Sequence, residues 1–331
     1  MTANTVNGSG NGARSGAHTL VLLGAPLNVL ILQSLQDGPK LQSDLLRRTN
    51  TPAQSTLRTQ LKRLDEIGAI EKHRRNRFPG VLEHELTAGG HDLLSVMAAL
   101  EAWLAKAPEG ALALDGSAAK APIKALAEGW STTMLRALAA GPLSLTDLDR
   151  IIGSLSYPTL ERRLAALRLA NLVEARTSNG RSTPYGVTEW LRQGIAPLGA
   201  AARWERRYLP ETTAPIGRLD VEAAFLLAVP LLEPPADLSG TCRLAVEIPN
   251  GGERRLAGVM IEMEDSTITT CATRLRVDAD AWALGSPTAW LDAVVDCDTA
   301  RLELGGNRRL VDAVIGGLHG ALFGSLSQIH R

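Results

Sequence analysis

Aromatic residues, cysteines and long apolar runs are scarce in this sequence. Phe, Trp and Tyr together make up 4% of its 331 residues, and only three cysteines occur. Cys242, Cys271 and Cys297 form no C-x-x-C pair, so a zinc site has no ligand set, and their odd number favours reduced thiols. No apolar run approaches the roughly 20 residues that cross a bilayer, and the first residues lack the apolar core of a signal peptide. We therefore expect a cytoplasmic protein that does not use a membrane.

Catalytic and cofactor-binding motifs are also missing. The sequence contains no G-x-S-x-G elbow, no P-loop and no G-x-G-x-x-G fingerprint. Its six histidines have no spacing, to one another or to a carboxylate, that is typical of a metal site. We therefore expect that the protein is not an enzyme and that it uses no cofactor or metal.

A net charge of +0 conceals a division of charge along the chain. Residues 1–214 contain 25 Lys and Arg against 19 Asp and Glu, a net of +6. Residues 215–331 contain 10 Lys and Arg against 16 Asp and Glu, a net of −6. Because basic surfaces attract polyanions, only the first part is a candidate for nucleic-acid binding.

The basic part contains an internal repeat. An offset of 103 residues aligns "LQDGPKLQSDLLRR" (35–48) with "LAAGPLSLTDLDRI" (138–151), and "STLRTQLKRLDEIGAIE" (55–71) with "PTLERRLAALRLANLVE" (158–174). An offset of 101 then aligns Trp103 with Trp204. A repeat of roughly 80 residues that occurs twice indicates a duplicated domain rather than a solenoid.

The segments between the repeats predict the domain boundaries. The Gly-, Asn- and Ser-rich start is typical of a disordered tail, and the Ala-, Gly- and Pro-rich stretch between the copies is typical of a linker. The predicted division is a tail at 1–20, a first domain at 21–107, a linker at 108–121, a second domain at 122–209 and an acidic third domain at 215–331.

Each copy has the pattern of a winged helix–turn–helix domain. In the first copy a helix ends at Gly38-Pro39, a short helix runs to Arg48, and a second helix begins near Ala53. Two extended runs around Pro79-Gly80 predict a hairpin, and a last helix covers about 88–104. In such a domain the second helix of the turn motif enters the major groove and the hairpin tip lies over the adjacent backbone.

The outward face of that second helix and the hairpin tip form the predicted DNA-contact surface. Leu57, Leu61 and Leu64 share the inward face. The residues of the opposite face and the tip, which can reach base edges and phosphates, are Gln54, Ser55, Arg58, Thr59, Lys62, Arg74, Arg75 and Arg77. Basic runs also occur in ordinary solvated turns, but the position of this run at a wing tip favours DNA contact.

The second copy has fewer basic residues on its predicted contact surface. Its candidates for DNA contact are Thr159, Arg162, Arg163 and Arg181. Glu161 stands where the first copy has Arg58, so the two copies are expected to differ in what they bind. We expect the chain to bind double-stranded DNA at an imperfect palindrome, as a pseudo-dimer within one chain or as a homodimer. The residues leave open whether the second copy contacts DNA.

Both copies resemble the HxlR-type winged helix regulators. The resemblance rests on "L-x-x-G-P" before the turn motif, "S-T-L-x-x-x-L-x-x-L-x-x-x-G-x-I-E" along the second helix, and "E-L-T-x-x-G" after the hairpin. It covers about residues 22–107 and 122–209 and implies bacterial transcription regulators that dimerise through their outer helices. The N-terminal cysteine that many members carry is absent here, so thiol sensing is not implied.

The acidic part has the order of an α+β domain with an antiparallel sheet. A helix at 219–229 precedes several extended runs, a helical stretch at 279–295, a short strand and a final helix. Through "LRVDADAWALGSPTAWLDAV" and "ARLELGGNRRLVDAVIGGL" it resembles the sterol carrier protein type two fold over about 215–325, which implies a tunnel for lipid-like ligands. The candidate pocket residues, each of which could also be ordinary core, are Phe225, Leu226, Met260, Met263, Cys271, Trp282 and Trp290.

The predicted fold class is therefore mainly α with small β wings, in two winged helix domains, followed by a C-terminal α+β domain. The predicted function is a DNA-binding transcription regulator whose C-terminal domain senses a small hydrophobic or aromatic ligand. Two alternatives remain: a protein that binds or sequesters an antibiotic or lipid-like molecule without contacting DNA, and a scaffold whose winged domains dock proteins. Salt-dependent DNA affinity separates the first interpretation from both alternatives.

Overall fold

The computed structural model describes residues 15–50, 53–74, 82–129, 132–153, 155–177, 182–211, 215–248 and 255–324. Helices and strands are mixed along these residues, and the strands form sheets of three, five and two strands. We refer to residues 17–104 as the first helical segment, to residues 120–208 as the second helical segment and to residues 215–324 as the C-terminal region. No helix in the described ranges is by itself long and apolar enough to cross a bilayer, and the apolar pair of helices within 17–36 is bent by 83°.

The first helical segment forms a winged helix–turn–helix domain. Its elements are α1 (Ala17–Leu23), α2 (Pro26–Gln36), β1 (Lys40–Leu41), α3 (Gln42–Arg48), α4 (Gln54–Glu66), β2 (Ile70–Arg74), β3 (Leu82–Leu86) and α5 (Ala88–Leu104). The strands form one antiparallel sheet in the order β1-β3-β2. The predicted inward leucines of α4, Leu57, Leu61 and Leu64, are all buried, which confirms the predicted register of this helix.

The predicted tail extends too far into the chain. Residues 1–14 lie outside the described ranges, but α1 begins at Ala17, and Thr19 and Leu20 are fully buried. Glu205 accepts hydrogen bonds from the backbone N–H groups of Gly16 (2.6 Å) and Thr19 (2.8 Å) and so satisfies donors at the start of α1. Composition could not predict this, because the capping carboxylate comes from a helix nearly 190 residues further along the chain.

The second helical segment has a similar element order to the first, without a strand that corresponds to β1 among its described residues. It contains α6 (Lys120–Gly129), α7 (Thr132–Ala140), α8 (Leu145–Ile151), α9 (Tyr157–Leu169), β4 (Val173–Ala175), β5 (Tyr185–Val187), α10 (Glu189–Gln193) and α11 (Ile195–Tyr208). Strands β4 and β5 pair antiparallel. The last helix of this segment is divided at Gly194 into α10 and α11, whereas α5 is continuous.

The stretch that joins the two segments is mostly exposed but is anchored by two buried side chains. Leu114 and Ala119 are 4% and 1% exposed, and α6 already begins at Lys120. The predicted linker at 108–121 is therefore too long at its end. Buried side chains from both segments belong to one continuous apolar cluster, which includes Leu57 and Leu160. The two segments consequently share a core.

The C-terminal region is an α+β layer on a five-stranded sheet. Its elements are α12 (Arg218–Ala228), β6 (Gly240–Ile248), β7 (Arg255–Glu264), β8 (Thr267–Ala272), β9 (Ala281–Gly285), α13 (Pro287–Val295), β10 (Glu303–Gly306) and α14 (Arg308–Phe323). The strand order is β10-β9-β6-β7-β8. Helices α12, α13 and α14 all pack on the central strand β6, and the apolar cluster beneath them is separate from that of the helical segments.

Two predictions about this sheet were wrong. The sheet is not purely antiparallel, because β6 and β9 pair in parallel. The predicted helical stretch at 279–295 also begins with a strand, since residues 281–285 form β9 and only residues 287–295 are helical. Periodicity does not distinguish a short buried strand from a buried helical turn, and here the space between β6 and β10 determined the outcome.

Candidate nucleic-acid interface

Helix α4 presents a polar and basic face to solvent. All five of its predicted DNA-contact residues are exposed, namely Gln54, Ser55, Arg58, Thr59 and Lys62. The Thr59 hydroxyl donates to the Ser55 carbonyl at 3.0 Å, and Lys62 Nζ lies 3.6 Å from Glu66 Oε1. Both of these contacts are local and exposed, so they leave the face free to meet a duplex.

The hairpin that follows α4 is fixed to that helix. Lys72 Nζ of β2 donates to Asp65 Oδ2 of α4 at 2.5 Å, and His73 Nε2 lies 3.1 Å from Glu71 Oε1. Lys72 and His73, the first basic residues of the hairpin, therefore have partners within the domain. Arg74 is exposed at the end of β2, whereas the predicted contacts Arg75 and Arg77 lie outside the described residues.

The start of α5 explains one of the sequence motifs. In "ELTAGG" (85–90) the hydroxyl of Thr87 accepts from the N–H of Gly90 at 3.0 Å and caps the helix. A Cβ on Gly90 would lie 2.0 Å from the carbonyl oxygen of Ala69. Glycine is thus needed at position 90 because the start of α5 lies against the backbone of Ala69, directly before β2.

A buried histidine lies in the wing. His84 of β3 is 2% exposed, faces Lys72 in the strand register, and its Nδ1 has no hydrogen-bond partner among the described residues. Burial lowers the pKa of His84 below its ordinary value, and the Lys72 ammonium lowers it further, against an opposing effect of Asp65. His84 is therefore neutral at neutral pH.

The second helical segment presents a different surface. On α9, Arg162 and Glu161 are exposed, and Thr159 and Arg163 are half-buried. The Thr159 hydroxyl lies 2.9 Å from that of Ser156. Arg181 lies outside the described residues. The structure therefore places three of the four predicted contacts on one helix, with an exposed carboxylate between them.

A reciprocal pair of tryptophan hydrogen bonds joins the two segments. The indole N–H of Trp103 donates to the carbonyl of Trp190 at 2.9 Å, and the indole N–H of Trp204 donates to the carbonyl of Gly89 at 2.7 Å. The 101-residue offset of the repeat relates Trp103 to Trp204 and Gly89 to Trp190. The rings of Trp103 and Trp190 also stack, with centroids 4.7 Å apart.

The structure separates the predicted ligand-binding residues into four groups. Phe225 and Trp290, in edge-to-face contact at 4.7 Å, line a cavity of about 100 Å³. Leu226 and Cys271 line a different groove beside β8. Met260 and Met263 are buried in β7, and Trp282 lies half-buried in β9 with the Arg243 guanidinium 5.9 Å from its ring. These seven residues do not form one pocket.

Sequence reasoning missed an ion pair, with a buried carboxylate and a partly exposed arginine, between the second helical segment and the C-terminal region. Arg136 Nε of α7 donates to Glu222 Oε2 of α12 at 2.5 Å, and Glu222 Oε1 accepts from the backbone N–H of Gly258 in β7 at 3.0 Å. Arg192 also donates to the Leu226 carbonyl at 2.7 Å. The sequence signal for this pair was the carboxylate of Glu222 on an otherwise apolar helix face, because a buried carboxylate needs a charged or hydrogen-bonding partner.

Comparisons with known proteins match the first helical segment. Residues 22–110 match the family described as HxlR-like helix-turn-helix. The reduced form of the transcriptional regulator YodB from B. subtilis is similar at 28% identity over 28% of this chain and 90% of that chain, with a TM-score of 0.27. Diamide-treated YodB from B. subtilis is similar at 29% identity over 26% and 85%, with a TM-score of 0.25. No curated protein matches the chain. Residues 22–110 therefore form an HxlR-like helix-turn-helix domain.

Proposed function

We propose that the protein is a DNA-binding transcription regulator and that α4 is its main reading helix. The observation that carries the proposal is the two-sided character of α4 within an HxlR-like domain. Its leucines are buried and its outward side chains are polar or basic, which is the arrangement of a helix that enters the major groove. Arg58 and Lys62 supply the positive charge on this helix face.

The second helical segment is the second reading head of this regulator. Its element order follows that of the winged domain, and the reciprocal bonds of Trp103 and Trp204 are what an isologous contact between two related halves requires. The chain then acts as a covalent pseudo-dimer. Dimeric readers place their helices about 34–36 Å apart, one turn of DNA, so the operator is an imperfect palindrome with unlike halves.

The C-terminal region is the sensor of a small hydrophobic ligand, and the chain has no enzymatic role. Two observations support the sensor: the apolar cavity beside Phe225 and Trp290, and the ion pair of Glu222 with Arg136, which ties the region to α7. A ligand changes DNA affinity only if it binds one arrangement of the helices better than another.

Charge reversal on α4 tests the proposal. Binding of the whole chain to a fluorescent duplex is measured by anisotropy across a range of salt concentrations. Arg58→Glu with Lys62→Glu is expected to weaken binding about 100-fold, since each lost charge-assisted contact contributes about 1.5 kcal/mol. The slope of log affinity against log salt should fall by about 2.

The control reverses two exposed lysines away from α4, Lys106→Glu and Lys120→Glu, with the same change in net charge. It should reduce affinity far less than the α4 variant. Equal losses in both variants would mean that only the net charge matters. No salt-dependent binding by the unaltered chain would favour the alternative, a small-molecule binding protein that does not contact DNA.

A further inference from the structure

We propose that the cavity among α11, α12, α13 and α14 binds one small, neutral, apolar group such as a single aromatic ring. This inference deepens the ligand sensor of the proposed function and rests on it. It also places the site at the junction of the second helical segment and the C-terminal region, rather than inside the latter alone.

The walls of the cavity come from both parts of the chain. Ile195, Leu198 and Ala202 of α11 form one side. The C-terminal region contributes the other sides, including Phe225 of α12 and Trp290 of α13. A molecule in this cavity therefore touches the helix whose Trp204 bonds to the first helical segment. Neither part encloses the site without the other.

The volume of the cavity limits the apolar group that can be buried in it. Its volume is about 100 Å³. An engineered apolar cavity of about 150 Å³ stays dry and binds benzene, so the space here suits a single ring or a short branched alkyl group. Phe225 and Trp290 meet edge to face, with centroids 4.7 Å apart, and both line the cavity, so aromatic surface is available to a bound ring.

The wall disfavours an anionic ligand, and apart from one carboxylate and one hydroxyl it is apolar. Asp220 is the one charged residue among the described residues that line the cavity. Its Oδ2 accepts from the Gly217 N–H at 2.8 Å and caps α12. A ligand carboxylate would meet this like charge and no cationic partner on the wall. The hydroxyl of Ser15, also on the wall, is buried without a hydrogen-bond partner among the described residues and can bond to one ligand hydroxyl.

Helix α12 connects the cavity to the rest of the chain. Val221 and Phe225 of this helix line the cavity, whereas its Glu222 is bonded to Arg136 of α7 and to Gly258 of β7. An occupied cavity holds α12 against α11 and therefore favours the packing seen here over arrangements in which these helices separate.

The test uses the whole 331-residue chain with toluene, p-cresol and decanoate as probes. Binding is followed by titration calorimetry and by the rise in the thermal unfolding midpoint. Toluene and p-cresol should bind, and decanoate, an anionic amphiphile, should not. Failure of both neutral probes to bind overturns the site, and equal or tighter binding of decanoate overturns its assignment to neutral ligands.

A matched pair of glycine variants locates the binding. Gly199 of α11 lines the cavity, and a Cβ added there would lie 3.6 Å from Val295 Cγ2, so Gly199→Leu fills the space. Gly316 of α14 is exposed and its added Cβ meets no atom within 4 Å, so Gly316→Leu is the control. Toluene should bind Gly199→Leu at least about tenfold more weakly than the unaltered chain. A loss of buried apolar surface on toluene equivalent to two methylene groups is enough to produce this change in affinity.

Gly316→Leu should bind toluene like the unaltered chain, and equal toluene affinity of both variants overturns the location of the site. Ala224→Leu fills the cavity from α12 and replaces Gly199→Leu as the test variant if Gly199→Leu does not fold. DNA affinity measured on the same samples separates the two proposals. Toluene binding without DNA binding refutes the regulator, whereas DNA binding without toluene binding refutes the cavity site.

Discussion

The two helical segments have similar element orders but different surfaces. Helix α4 and helix α9 each bury three leucines along one face. The outward face of α4 carries Arg58, whereas α9 carries Glu161 at the corresponding position. Exposed apolar side chains also distinguish α9, since Tyr157 is 46% and Leu169 is 87% exposed. The apolar face of each helix fixes the fold, and the outward face is free to diverge.

The two segments also differ in what they pack against. Position 33 of α2 corresponds to position 136 of α7 in the 103-residue offset. Gln33 makes an exposed hydrogen bond to Glu101 within its own segment, whereas Arg136 pairs with the buried Glu222 of the C-terminal region. The first segment exposes the proposed DNA-contact face of α4, whereas the second segment is bonded to the proposed sensor.

The largest effects are expected where the two segments meet. Trp103→Ala and Trp204→Ala should each lower the free energy of unfolding by about 3–5 kcal/mol, because both rings are buried and both indole N–H groups are bonded across the contact. Denaturant unfolding measures this loss. Trp282→Ala, at a half-buried position of β9, is the control. A small loss in one of the two central variants would break the proposed equivalence of the halves.

The next effect concerns the ion pair. Arg136→Met leaves the Glu222 carboxylate buried without its cation and should cost about 3 kcal/mol, at the low end for buried pairs because Arg136 is 31% exposed. Gln33→Met, at the corresponding position of the first segment, should change stability by less than about 0.5 kcal/mol. Equal effects in denaturant unfolding would contradict the asymmetry between α2 and α7.

A gain of DNA binding would sharpen the comparison of the reading helices. Glu161→Arg gives α9 the residue type that α4 has, and should raise DNA affinity about tenfold and the salt slope by about 1 if α9 lies against phosphates. Glu264→Arg in the exposed part of β7 makes the same change of charge elsewhere. An identical response of the two variants in the anisotropy titration would remove α9 from the interface.

The smallest effect is a pH dependence confined to the first segment. Because the pKa of His84 is lowered in the folded protein, the unfolded chain binds a proton at this side chain at a higher pH, near the ordinary value of about 6.5. Stability should therefore fall as the pH drops below about 6.5 and be unaffected by His84 above it. His84→Gln should reduce this dependence, measured as denaturant midpoints from pH 7.5 to 5.5, and an unchanged dependence would contradict its assignment to His84.

Local patterns predicted the first helical segment well. The spacing of Leu57, Leu61 and Leu64 predicted the face and the register of α4, and the predicted last helix at about 88–104 agrees with α5. The proposed DNA-contact residues of α4 followed from the same spacing, and they are exposed; their contact with DNA stays a prediction. Such features depend on neighbours three or four residues apart, which a sequence displays directly.

Predictions failed where distant residues determine the outcome. The start of α1 depends on Glu205, strand β9 on its place between β6 and β10, and the division of the pocket candidates on which face of the sheet each occupies. None of these partners is near in sequence, so composition and periodicity cannot predict these contacts.

The sequence by itself determined the helices of the first segment, the two-sided character of α4 and the uneven distribution of charge, because hydrophobic period and charge are local properties. Only the tertiary structure decided that Trp103 donates to the Trp190 carbonyl and Trp204 to the Gly89 carbonyl, that Glu222 is buried against Arg136, and that a cavity opens beside Phe225. Such contacts arise when elements far apart in the chain compete for the same buried space, and packing, unlike period, cannot be read from one stretch of residues.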